Sequence, residues 1–316
     1  MRMPATDTIS EIPLWIGFII FVLVMLLLDL KVFHRKPEKV SVKNALLWSF
    51  AWIAMALAFG VGIYILWGHE IGLQYFTGYV IEKSLSVDNL FVFLTIFAYF
   101  GVKDEHQHRV LFWGVLGAIV LRALFIFAGI SLLNALSWVM YVFGAFLIFA
   151  GLRMAFKKED RVDLEKNRLL RLMRRVIPVS KSYNAEKFFV VEDGMRKATP
   201  MLLILVFIEF TDIVFALDSV PAVFSVTRYK FIVFSSNIFA ILGLRSLYFA
   251  LAGVLQRLRF LQYGLAVILV FLGLKMLAEG HIDIPIWFSL GVISLILALA
   301  ISASLIWSRK HLHGDS

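Results

Sequence analysis

Apolar residues in this chain run in long blocks and do not alternate with polar ones. Nine blocks stand out, at residues 13–30, 45–67, 72–100, 110–133, 138–156, 200–225, 231–255, 260–279 and 285–308. A helical membrane span needs roughly 20 predominantly apolar residues. The pattern predicts an all-α polytopic membrane protein with nine transmembrane helices, the last at 285–308. Residues 157–199 form the one sizeable polar segment. Val162, Leu169, Leu172, Met173 and Val176 recur there at helical spacing among basic residues, and Pro178 ends the run. Phe188, Phe189, Val190 and Val191 then meet Asp193-Gly194, which predicts a hairpin. The segment reads either as a basic linker on the inner leaflet or as a regulatory, lipid-binding element.

Composition sharpens the class. The chain has 316 residues, 61% of them apolar and 17% charged, with a mean hydropathy of +0.86. Soluble domains average about 45–50% apolar and about 25% charged. The excess exceeds what one interior of this size can bury. A soluble globular enzyme, a disordered chain and a small disulfide scaffold are excluded. No Cys is present, so disulfides and thiolate metal sites are excluded too. The first block does not read as a signal peptide. Asp7 and Glu11 stand where a basic region belongs, and Leu28-Asp29-Leu30-Lys31 lacks small residues for cleavage. It is expected to remain as the first helix.

The net charge of +9 points to cytoplasmic loops rather than to nucleic acid. With nine spans, 23 of the 31 Lys and Arg fall on one side, twelve of them within 157–199. Only Arg2, Arg228 and Lys230 fall on the other. Lys83, Arg122, Arg153, Arg245 and Lys275 lie within spans. The bias predicts an outside N-terminus and a cytoplasmic C-terminus.

An internal repeat is visible. Glu82-Lys-Ser-Leu-Ser-Val-Asp88-Asn89 aligns with Asp212-Ile-Val-Phe-Ala-Leu-Asp218-Ser219. Leu121-Arg122 answers Leu244-Arg245, and Ala150-Gly151-Leu152-Arg153-Met154 answers Leu272-Gly273-Leu274-Lys275-Met276. The unit is three helices: 72–156 is the first copy, 200–279 the second. An odd number of crossings gives the copies opposite orientations, a common plan of secondary transporters.

Leaving aside Glu279, the last residue of its block, six acids fall inside predicted spans: Asp29, Glu82, Asp88, Glu209, Asp212 and Asp218. Each costs about 2.5–3.5 kcal/mol at a helix centre on insertion scales. Asp29, Arg153 and Lys275 lie near span ends, within snorkelling reach of water. Five deep acids then face three deep bases, Lys83, Arg122 and Arg245. The structural reading makes these groups buried ion pairs, but it leaves an acidic surplus that a divalent cation would neutralise. A break in each helix between the paired acids would turn both toward one point, with Ser84, Ser86 and Pro221 as candidates for loosening the backbone. All seven His (34, 69, 106, 108, 281, 311 and 313) lie outside the spans. The remaining donors, carboxylates with Asn89, hydroxyls and carbonyls, suit Mg²⁺, Ca²⁺ or Mn²⁺ and suit Zn²⁺ or Cu⁺ poorly. Carrying protons is an alternative use of the same acids. No G-x-x-x-x-G-K-[ST] motif occurs, and 157–199 is too short for an ATPase domain. No enzymatic activity and no cofactor are expected.

The motifs E-K-S-L-S-V-D-N-L-F-V-F at 82–93 and F-T-D-I-V-F-A-L-D-S-V-P-A-V-F at 210–224 resemble the paired signatures of the TerC family. So do S-N-I-F-A-I-L-G-L-R-S-L-Y-F at 236–249 and F-G-A-F-L-I-F-A-G at 143–151. Length and span number look most like its Alx branch, associated with manganese homeostasis and alkaline pH. The resemblance implies Mn²⁺ export across a bacterial inner membrane. Glu82, Asp88, Asn89, Glu209, Asp212 and Asp218 would be the candidate ligands, with Lys83, Arg122 and Arg245 as charge partners. Ca²⁺ is the competing substrate. Other members are linked to tellurite resistance and membrane-protein assembly, so a scaffold whose acids are fixed ion pairs is the other class of function.

Overall fold

The computed structural model describes residues 7–33, 42–100, 102–136, 138–156, 188–192, 194–251, 260–278, 282 and 284–312. The helical pattern at 162–176, Pro178 and Asp193 lie outside the described residues, as do the side chains of Asp29 and Asp88. The elements are α1 (Asp7–Phe33), α2 (Val42–Trp67), α3 (His69–Phe100), α4 (Asp104–Ala135), α5 (Val139–Phe156), β1 (Phe189–Glu192), β2 (Met195–Ala198), α6 (Pro200–Phe224), α7 (Lys230–Leu242), α8 (Leu244–Leu251), α9 (Leu261–Ala278) and α10 (Ile286–Leu312). Each predicted apolar block is therefore helical over most of its described residues.

Among the described residues, seven stretches are long and apolar enough to cross a membrane: α2, α4, α5, α6, α7 with α8, α9 and α10. The other two predicted spans are α1 and α3. The apolar stretch of α1, Ile12–Leu28, is shorter. Helix α3 has 32 residues but carries Glu70, Glu82, Lys83 and Asp88. At 1.5 Å per residue it extends about 48 Å, ample to cross. Helix α1 belongs to a unit of its own, residues 1–39, where the rings of Phe18 and Phe21 stack 6.5 Å apart.

Within residues 40–316, α7 is the innermost helix. Every residue from Phe231 to Leu242 is buried, and α2, α3 and α4 all pack on it. Apart from Ser235, Ser236 and Asn237 these residues are apolar, the composition of a helix buried on every side. By contrast α2 and α10 each keep a broad face of exposed Leu, Ile, Val and aromatic side chains, as a lipid-facing helix does.

The most extensive packing is between α5 and α9. A Cβ at Gly144 would lie 3.0 Å from the Gly273 carbonyl, and one at Gly273 would lie 2.6 Å from the Gly144 carbonyl. A Cβ at Gly151 would lie 2.7 Å from the Ala266 carbonyl. The backbones touch because the side chains are missing, the usual way to join helices where lipid offers no hydrophobic drive. In the repeat alignment Gly144 matches Ala266 and Gly151 matches Gly273. The contacts Gly144–Gly273 and Gly151–Ala266 are thus images of each other, the reciprocity a two-fold relation generates.

Two expectations about helix breaks are corrected. Helix α3 runs unbroken through Glu82 and Asp88, and α6 runs unbroken through Asp212, Asp218 and Pro221. Ser84 donates to the Val80 carbonyl at 2.5 Å inside the intact helix, a bond that continues the local pattern without replacing it. Pro221 sits close enough to the C-terminal end of α6 that Ser225 N–H still reaches its carbonyl at 3.1 Å. The break lies instead inside the predicted 231–255 span, at Gly243 between α7 and α8. There Lys83 Nζ donates to the Ala240 carbonyl at 3.3 Å, satisfying an acceptor at the end of α7. A Cβ at Gly243 would lie 3.0 Å from that Nζ and 3.1 Å from Trp52 Cβ.

The hairpin forms as predicted. Strands β1 and β2 pair antiparallel with Glu192 opposite Met195. Gly194 takes φ +73°, the left-handed conformation a two-residue turn demands. Phe188 anchors it to the start of α4, with its ring 5.2 Å from the Arg109 guanidinium and edge-on to Trp113.

Candidate metal-ion site

Helical arithmetic sets the site. Seven residues return a helix to within about 20° of the same direction, whereas six leave it about 120° away. Glu82 and Asn89 therefore form one stripe on α3, and Asp212 and Ser219 form another on α6. In the repeat alignment these stripes correspond position by position. Asp88 and Asp218 lie on other faces of the same helices.

Arg122, from the middle of α4, fills the space between the two stripes. It is 1% exposed. Its Nη1 donates to Glu82 Oε2 and to Ser219 Oγ at 3.2 Å. Its Nη2 reaches Asp212 Oδ1 at 3.2 Å, and its Nε reaches Asp212 Oδ2 at 3.4 Å. A planar guanidinium can satisfy two carboxylates at once in this way, which a lysine cannot. Asn237 of α7 completes the cluster, donating from Nδ2 to Glu82 Oε1 at 2.7 Å. One arginine thus ties α3, α4 and α6, and one asparagine adds α7.

Next to this cluster is a cavity with room for about one water-sized occupant. It is lined by Leu85 and Asn89 of α3, Arg122 of α4, Met154 of α5, and Phe215, Asp218 and Ser219 of α6. Its polar groups are a carboxylate, an amide, a hydroxyl and the edge of the guanidinium. Asp218 faces the cavity, and Glu82 and Asp212 stand behind Arg122. The oxygen donors of the lining suit a hard divalent cation.

The sequence-predicted acids do not all converge. Glu82 and Asp212 meet at Arg122, whereas Asp218 faces the cavity. Glu209 lies against Gly117 of α4. Among the described residues no three His, Asp or Glu side chains are grouped as metal ligands. The physical reason is the intact helices: without a break, a spacing of six keeps the paired acids on different faces. Asn89 does line the cavity. Lys83 serves the end of α7. Arg245 is buried at 1% exposure on α8. Asn237, Ser219, Phe215 and Met154 were missed as site residues. The one available signal was the seven-residue echo of Asn89 in Ser219. Asn237 follows Ser235-Ser236 in a family-like stretch and carries no local mark of its role.

Comparisons with known proteins agree with the fold. The family model described as "Integral membrane protein TerC family" matches residues 67–312. The chain is 51% identical over 307 residues to "Uncharacterized membrane protein STKORF319" of Myxococcus xanthus, covering 97% of this chain and 96% of that one. It is 46% identical over 306 residues to "Putative membrane-bound redox modulator Alx" of Salmonella typhi, covering 93% and 94%. The protein of the same name from Escherichia coli K12 is 44% identical over 304 residues, again covering 93% and 94%. No solved structure matches the chain. A family match over most of the sequence and relatives that align nearly end to end lead to one statement: this multi-pass membrane protein belongs to the integral membrane protein TerC family.

Proposed function

We propose that this protein carries a divalent cation, Mn²⁺ foremost, across a bacterial inner membrane. The observation that supports it is the cavity to which Asp218, Asn89 and Ser219 bring oxygen donors beside the Arg122 cluster, between membrane helices. Buried ionisable groups in a membrane span are expensive and mark ion pathways more often than not. The Alx relatives carry a name that speaks of redox modulation. This chain has no Cys, so a thiol–disulfide exchange of its own is excluded, and metal handling is the reading its site favours. Mg²⁺ holds its waters reluctantly released, so a cavity this small favours Mn²⁺ or Ca²⁺ over it. Purified protein in liposomes is expected to move Mn²⁺, to discriminate against Mg²⁺, and to lose the movement in Asp218→Asn, which keeps shape and removes charge. Full Mn²⁺ movement in that variant would displace the site from the cavity. A second reading, an assembly scaffold, draws on the Arg122 cluster itself, which joins three helices. It prevails if no divalent ion moves under a proton or sodium gradient and cells lacking the protein hold normal manganese.

A further inference from the structure

Glu209 makes no use of the Arg122 cluster, although it lies only three residues before Asp212. Its carboxyl rests on Gly117 of α4, where an added Cβ would overlap Cδ and both oxygens. Oε2 is buried without a hydrogen-bond partner, while the residue as a whole is only half-buried. Glycine inside a helix costs about 1 kcal/mol relative to alanine, so its presence at 117 calls for a packing reason. The carboxyl is that reason. The repeat offers an internal comparison. In the alignment Glu209 corresponds to Tyr79 and Gly117 to Ala240, so the equivalent pair of positions has neither the acid nor the glycine.

Helices α4 and α6 run parallel here, with Gly117 beside Glu209 and Arg122 beside Asp212. Three residues along α6 advance about 4.5 Å. The Glu209 carboxyl therefore waits one turn from the cluster, toward the Pro200 end of α6. We infer that Gly117 is a positioning residue whose missing side chain forms a notch for the Glu209 carboxyl, which receives a divalent cation there on its way through the protein. This rests on the transport reading above.

The test is Mn²⁺ movement by the full chain in liposomes, comparing wild type, Gly117→Ala, Glu209→Ala and the double variant. Gly117→Ala evicts the carboxyl and should slow movement about tenfold, as Glu209→Ala does, and the double variant should be no slower than Glu209→Ala alone. A merely structural glycine would not give that non-additivity. If Gly117→Ala fails to insert and the double variant inserts, the clash with the carboxyl is the cause and the notch stands. The inference is overturned if Gly117→Ala moves Mn²⁺ as wild type does. It is overturned equally if the methyl slows the Glu209→Ala protein about tenfold more, or if neither methyl variant inserts. Wild type that moves no Mn²⁺ overturns the transport reading and this inference with it.

Discussion

Replacing Arg122 by Met removes four hydrogen bonds to Glu82, Asp212 and Ser219 and leaves two buried carboxylates without their counter-charge. Two estimates of the cost differ usefully. Interhelical hydrogen bonds in membrane proteins average about 0.6 kcal/mol each, so four of them amount to about 2.4 kcal/mol. Breaking a buried ion pair by deleting one partner costs about 3–5 kcal/mol, because the remaining charge is uncompensated. If the charge dominates, Arg122→Met should lose about 3–5 kcal/mol, and neutralising Glu82 and Asp212 as Gln and Asn in the same protein should recover most of it. If the bonds alone matter, the triple variant should be no better than the single. The assay is reversible unfolding in mixed micelles followed by the fluorescence of the eight Trp residues. Arg122→Met within about 1 kcal/mol of wild type would refute the view that this arginine holds three helices together. Arg122→Lys is expected to fall between, since an ammonium keeps the charge and loses the paired bonds to Asp212.

Asn237→Leu should destabilise the protein by about 1–3 kcal/mol, the usual cost of leaving a buried acceptor such as Glu82 Oε1 unpaired, measured in the same unfolding assay; no change would remove Asn237 from the cluster. Gly273→Val should separate α5 from α9, since even a Cβ lies 2.6 Å from the Gly144 carbonyl. An overpacking loss of about 1–3 kcal/mol or more is expected, and wild-type stability would contradict the backbone contact. Reporter fusions at Ser316 and within 157–199 should both read cytoplasmic, and a periplasmic signal at either would reverse the topology.

The apolar blocks alone determined the membrane class and the helices, because lipid forces every backbone polar group to be satisfied within its own segment. That constraint is local, so α2 through α10 could be placed from composition. The Asp193-Gly194 turn was legible for a similar reason: few residues accept the left-handed conformation found at Gly194. The glycines at the α5–α9 crossing were visible as part of the repeat, though not as a contact. Which acids share a site was another matter. Helix continuity decided it: Ser84 and Pro221, which invited a break in α3 and α6, were accommodated by hydrogen bonds inside intact helices. The break went to Gly243, where Lys83 from another helix meets the end of α7. Arg122 as the common partner of Glu82 and Asp212, Asn237 as the donor to Glu82, and Gly117 as the resting place of Glu209 join residues 40 to 155 positions apart. Such pairings depend on how helices lean and rotate against one another, and no local pattern of residues encodes that.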